Sequence, residues 1–132
     1  VDHPKTLAFE KDLREAFIAV DHYLEDKYAD LFPLHPNRPK RGETSNPQMD
    51  GLFNVGSSFS AGYGSEYGRG YVVDVHISTL ERIPKGRKES ILEDAVEELR
   101  RQLARRFPGR KLFVDRDRHV FKVHGDFSLG SL

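Results

Sequence analysis

The sequence predicts an α+β fold in which two long helices pack on a short mixed or antiparallel sheet. Three observations lead there. Two stretches repeat apolar residues at three- and four-residue steps, which places each stripe on one face of a helix. A run around residue 75 alternates apolar and polar residues, the pattern of a half-buried strand, and Gly- and Pro-rich segments separate these elements. At 132 residues the chain has the length of one domain, and residues 1–132 are read as one.

The first helix is expected over residues 6–31, with Phe9, Leu13, Phe17, Val20, Leu24, Tyr28 and Leu31 on its apolar face. Pro33, Pro36 and Pro39 then remove backbone donors and fix φ, so residues 32–48 read as a long loop or arm carrying Arg38, Lys40 and Arg41. The core of the fold is expected over residues 49–128. It opens on Gly51 to Phe59, a strand running into a tight turn, followed by a flexible glycine-rich loop with Tyr63, Tyr67 and Arg69. In the best strand, Tyr71 to Ser78, Val73, Val75 and Ile77 share one face, and Val72, Asp74, His76 and Ser78 share the other.

The second helix is marked by Leu92, Val96, Leu99, Leu103 and Phe107 and stops at Pro108-Gly109. Its acids, Glu89 to Glu98, lie toward the start and its arginines, Arg100 to Arg106, toward the end, as the helix dipole favours. Residues 111–114 and 119–123 read as two short strands about Asp115-Arg116-Asp117-Arg118, taken as a turn, and residues 125–129 as a further edge strand. There is no internal sequence repeat.

Composition narrows the classes of function. The 21 basic and 21 acidic residues cancel, but residues 85–124 carry 12 basic against 7 acidic side chains, an asymmetry compatible with an anionic partner. The absence of cysteine excludes disulfides, thiolate metal sites and cysteine catalysis. No apolar run approaches the ~18 residues of a membrane span, and the first residues have no signal-peptide character, so a cytoplasmic protein is expected.

The order of motifs carries a resemblance. Val55-Gly56-Ser57 precedes the glycine-rich loop, Asp74-Val75-His76-Ile77 sits on the next strand, and a helix and further strands follow. This order resembles the catalytic core of the DNA polymerase beta type nucleotidyltransferases, where a hydrophobic-Gly-Ser turn ends one strand and Asp-hydrophobic-Asp occupies the next. The resemblance covers roughly residues 47–128. It implies a nucleotide or phosphate cradle at Gly56, Ser57 and Ser58 with Arg69 nearby. It also implies catalytic roles for Asp74 and His76, and Mg2+ or Mn2+ as cofactor, held by Asp74, His76 and Asp126. Carboxylates two apart on a strand project together and can hold paired ions.

In this chain His76 stands where the second acid would be, and Ser128 falls near the place of the third, with Asp126 and Asp115 as stand-ins. Imidazole suits Mn2+ or Zn2+ better than Mg2+. The resulting expectation is a nucleotidyltransferase-like domain with an incomplete metal site that binds a nucleotide, a nucleic acid or a protein partner without catalysis. Two alternatives stay open: an active enzyme using Asp74, and an assembly module contacting proteins through the arm and the basic helix end. The remaining histidines, His3, His22, His35, His119 and His124, read as surface residues.

Overall fold

The computed structural model describes residues 4–28 and 30–125. The chain forms α1 (Pro4–Tyr28), β1 (Phe53–Ser60), β2 (Gly70–Ile77), α2 (Lys85–Arg106), β3 (Leu112–Asp117) and β4 (Val120–Gly125). The fold is α+β, and its sheet is wholly antiparallel with strand order β1-β2-β4-β3. Each helix is thus followed by a hairpin, and the two hairpins meet through β2 and β4. The arrangement is repeated although the sequence is not. No helix among the described residues is long and apolar enough to cross a membrane.

Both helices cover one face of the sheet. Phe9, Leu13, Phe17, Val20 and Leu24 of α1 and Ile91, Val96, Leu99 and Leu103 of α2 are buried against Phe53, Val55, Val73, Val114 and Val123 of the strands. Each such side chain contributes about 1.5–3 kcal/mol of burial. Polar links join the helices: Asp94 of α2 accepts hydrogen bonds from Lys27 at 2.9 Å and from the Tyr28 hydroxyl, and Arg106 pairs with Glu15 at 3.3 Å. Tyr28 and Lys27 hold Asp94 below the usual carboxylate range against the opposing effect of its burial.

Several expectations change at element ends. α2 begins at Lys85, so its first turn is Lys85-Gly86-Arg87-Lys88 and contains no acid. The sorting of charge along this helix therefore fails at its N-terminus. Asp115 and Asp117 lie on β3 rather than in a turn, and the hairpin reverses at Arg118 and His119, with Arg118 at φ 61°. The expected edge strand over 125–129 reaches Gly125 as the end of β4, and the rest lies outside the described residues.

The outer edge of β1 would be an open row of backbone donors and acceptors, but side chains take the place of a neighbouring strand. Glu25 Oε1 accepts the Phe53 N–H at 2.8 Å, and Asp21 Oδ2 accepts the Val55 N–H at 3.3 Å. From the arm, Gln48 Nε2 donates to the Val55 carbonyl at 2.9 Å. Arg38 donates to the carbonyls of Gln48, Asp50, Gly51 and Phe53 at 2.9–3.4 Å. The arm is consequently packed against the sheet, and Arg38, one of the three cations read on it, is half-buried with its guanidinium bound to backbone carbonyls. Gly51 permits this closeness, since at φ 75° a Cβ there would meet the Glu25 carboxylate at 2.5 Å.

Burial, reinforced by the charge of Glu25, pushes the Asp21 carboxyl up to about 7, although its bond to Val55 works the other way. An acid whose folded pKa exceeds its unfolded value of 3.8 binds its proton more tightly in the fold, so this group removes stability as pH rises from about 4 to about 7. Asp21→Asn keeps an oxygen for Val55 and abolishes that slope. Urea unfolding at pH 5 and pH 8 is expected to show wild type weakened at the higher pH and Asp21→Asn unchanged by this group. Arg38→Met strips four carbonyls of a charged donor and is expected to cost about 3 kcal/mol or more in the same experiment, whereas Lys40→Met at the surface stays within about 0.5 kcal/mol.

Candidate functional site

The helix-free face of the sheet divides into two regions. Over β3 and β4 it is covered by the glycine-rich loop, and over β1 and β2 it is open, bounded by the arm. Antiparallel pairing sets Gly56 opposite Asp74 and Asn54 opposite His76, so these four residues share the outer face. A polar hollow of about 350 Å3 lies there, lined by Gln48, Asn54, Ser57, Ser58, Asp74 and His76 with Gly56 as its floor. Asp74 and His76 are both exposed, as the alternation of β2 requires. Neither forms a hydrogen bond or ion pair with another described side chain.

His76 also lines a second hollow of about 360 Å3, whose other walls include His35, Asn37 and Arg38 from the arm and Ser78 and Thr79 beyond β2. The two form one groove between arm and sheet. The Asn37 N–H donates to His35 Nδ1 at 3.0 Å, so in the neutral ring Nε2 carries the proton and is the donor left for a ligand. The His35 N–H in turn donates to the Ser78 carbonyl at 2.8 Å, which ties this part of the arm to the end of β2.

The structure brings together only part of the set that the sequence singled out. Gly56, Ser57 and Ser58 do not form a strand-ending turn. They lie in the middle of β1, paired with Asp74, Val73 and Val72; Gly56 and Ser58 direct their backbone groups to the ladder with β2, and Ser57, like Phe53 and Val55, to the outer edge. Strand alternation turns the two serine side chains to opposite faces, Ser57 toward that of Phe53 and Val55, although both residues line the hollow together with Gly56. Arg69 is exposed outside the groove, where its charge acts on Tyr71. Asp126 lies outside the described residues, and among the described residues no group of three His, Asp or Glu could hold a metal ion.

The residues that sequence reasoning missed, His35, Asn37 and Gln48, come from the arm. No local pattern marks them, because their position follows from the long-range bonds of Arg38. Asn54 was legible in principle, standing two residues before Gly56 on the same strand face.

The glycine-rich loop is fastened rather than flexible. Asp117 Oδ1 and Oδ2 accept the backbone N–H groups of Glu66 and Tyr67 at 3.1 and 3.4 Å. Lys122 Nζ donates to the Gly68 carbonyl at 2.9 Å and pairs with Asp117 at 3.0 Å, with both side chains buried to within 3% exposure. Tyr67 stacks on His124 at 4.3 Å, and His124 Nε2 lies 2.8 Å from Asp115. Gly62, at φ 89°, closes the loop so tightly that a Cβ would fall 2.2 Å from the Gly68 carbonyl carbon. Of the aromatic residues in and beside the loop, Tyr67 is engaged within the fold and Tyr71 packs edge-on to Phe59 at 5.6 Å. Tyr63 stands in solvent.

Fold and groove together define a small α+β domain with a polar cleft on its sheet. Residues 4–125 match the profile of a protein family described as "Uncharacterised protein", and the chain belongs to that family. An uncharacterized protein of Borreliella burgdorferi is 37% identical over 119 residues, covering 90% of this chain and 93% of the relative. No solved structure matches the chain.

The hydrogen bond from Lys122, aided by the amides of Glu66 and Tyr67, holds the Asp117 carboxyl down at about 2. A depressed carboxylate gives stability that is complete above its unfolded pKa of 3.8 and is lost as pH falls through about 2, so the loop is expected to loosen between about pH 4 and pH 2. At neutral pH, Lys122→Met should accelerate amide exchange at Glu66 and Tyr67 while exchange in α1 and α2 changes less.

Proposed function

We propose that this protein is a non-catalytic nucleotide-binding module whose ligand lies in the groove of Asp74 and His76. The carrying observation is that carboxylate and imidazole stand side by side, unpaired, in a polar hollow floored by Gly56. A carboxylate accepts ribose hydroxyls or the N–H edge of a base, and Asn54 and Ser58 beside it can both donate and accept. The phosphate end would reach the second hollow, where His35 Nε2, Asn37 and Thr79 offer donors and Arg38 offers charge. Each of the two hollows, about 350 and 360 Å3, has a size usual for a small-molecule site.

The order of Gly-Ser strand, Asp74 strand, helix and further strand keeps the resemblance to nucleotidyltransferases within this proposal. The donor set does not fit paired catalytic ions, because one acid and one imidazole supply too few hard oxygens to hold two of them. No transfer step is assigned. The same side chains, two apart on one strand face, are also the observation that favours the second reading, an enzyme using a single Mn2+. A cytoplasmic setting, where nucleotides abound, belongs to the proposal and agrees with a chain free of cysteine.

The test is a thermal-shift and calorimetric titration with nucleoside mono- and triphosphates, with and without Mg2+ or Mn2+. A ligand that binds only the native state raises its melting temperature. We expect a nucleotide to do so without metal, with affinity reduced about tenfold or more in Asp74→Asn. Gly56→Val, which fills the groove floor at a position of ordinary strand geometry, should abolish binding and leave the melting temperature of the free protein near that of wild type. Absence of any shift at millimolar nucleotide would overturn the reading, and Mn2+-dependent release of pyrophosphate, lost in Asp74→Asn, would replace it with the enzyme.

A further inference from the structure

The sheet treats its edges unequally. β1 is sealed by Asp21, Glu25, Gln48 and Arg38, and on β3 the Val114 carbonyl accepts two hydrogen bonds from Arg100. A third edge lies inside the sheet. β2 runs to Ile77, but its ladder with β4 covers only Tyr71, Val72 and Val73. The β3–β4 hairpin turns at Arg118 and His119, and beyond it one side of β2 has no neighbouring strand.

The direction of the backbone there follows from pairing on the other side. Phe53 and Val55 direct their N–H groups to the outer edge of β1, so Asn54 and Gly56 face β2 and meet His76 and Asp74. Val75 and Ile77 therefore direct their N–H and C=O groups away from β1, into the gap. The Ile77 carbonyl accepts the Thr79 N–H at 3.0 Å, and the Val75 groups and the Ile77 N–H face no strand. Beside them lies a hollow of about 170 Å3, with Val75, Ile77, Ile91 and Leu92 among its walls and Lys88 and His119 at its rim.

The start of α2 adjoins this gap through Lys88, and its charge is the second observation. Arg82, Lys85, Arg87 and Lys88 are all exposed, and none of them enters an ion pair among the described residues. Three of them occupy the first helical turn, where the dipole disfavours cations and the N-cap Pro84 makes no side-chain bond. The neighbouring acids are Asp74, Glu81 and Glu89, of which Glu89 is paired with Arg116 at 3.2 Å, leaving the patch net positive.

We propose that the free edge of β2 receives an extended acidic segment of a partner protein as an added strand. Its backbone pairs with Val75 and Ile77, one apolar side chain fills the hollow, and flanking carboxylates meet Lys85, Arg87 and Lys88. The opening, about four residues or ~13 Å long, suits a short strand. Added strands draw affinity from main-chain bonds and specificity from alternate side-chain pockets, and both are present here. This surface borders the nucleotide groove, since Asp74 and Ile77 line hollows on both, but the proposal does not rest on the nucleotide reading.

The probe is a panel of short peptides with one central apolar residue, varied over Val, Ile, Leu, Phe and Tyr, and two acidic residues on each side. Lysine-flanked counterparts serve as controls. Each is titrated to about 1 mM into the isotope-labelled chain, a range in which weak complexes register. The expected result is perturbation of the Val75 and Ile77 amides by acidic peptides and not by the controls. The affinity should fall about tenfold or more in Lys85→Glu/Lys88→Glu, whose exposed sites leave the fold intact. Silence at these amides across the acidic panel overturns the proposal, as does an equal response to the lysine-flanked peptides. Concentration-dependent masking of the same amides without peptide would instead assign the edge to a second copy of the chain, and displacement by an oligonucleotide would assign the patch to nucleic acid; either outcome overturns it.

Discussion

The structure depends on how the edge of β1 is closed. A strand at the border of a sheet presents unpaired donors and acceptors, and here a helix and a loop supply the missing partners. Asp21 and Glu25, four residues apart on α1, take two N–H groups, while Arg38 and Gln48 take the carbonyls. One set of bonds thereby fixes the rotation of α1, the register of β1 beneath it and the path of the arm. The groove exists because the arm is held at that distance from the sheet. The cost is three nearly buried carboxylates in one region, Asp21, Glu25 and Asp50. Against its own burial, Asp50 is kept ionised by the Thr44 hydroxyl and amide, and Asp21 is left with its proton bound well above the usual range.

Periodicity made most of the fold legible. The stripe from Phe9 to Leu24 and the run of β2 specify their faces locally, because a side chain's direction follows from helical or strand geometry alone. Asp21 and Glu25 escaped that reading since acids on a helix look like solvent-facing residues until their partners are known. Asp115 and Asp117 were misplaced for a related reason: Asp and Arg in alternation have the composition of a turn. Their place on β3 is supported by cross-strand partners on the other arm of the same hairpin, Lys122 for Asp117 and His124 for Asp115, which become visible only once the reversal is placed at Arg118 and His119. Arg38 failed in the opposite sense, as an arginine among prolines whose four carbonyl acceptors lie 10 to 15 residues away.

The site was legible to the extent that strand alternation governs it. Asp74 and His76 project together, and Gly56 faces them across the ladder. Gly56, Ser57 and Ser58 line one hollow with Asp74 and His76, but as consecutive residues of a strand whose side chains alternate in direction rather than as a turn. The glycine-rich loop was misjudged from composition. Glycine permits mobility but also permits the tight return that brings Glu66 and Tyr67 onto Asp117, and the buried partner rather than the glycine content decides which is realised.

The joint between the hairpins bears on how the molecule yields under load. β1 and β2 share eight residue pairs and β3 and β4 share six, but only three join β2 to β4. The sheet is in this sense two stiff plates meeting at a short seam, suspended from a pair of helices. Shear across the molecule concentrates at that seam, so the plates can shift relative to one another while each keeps its own ladder. The natural unit of partial opening is therefore a helix with its hairpin, rather than a single strand.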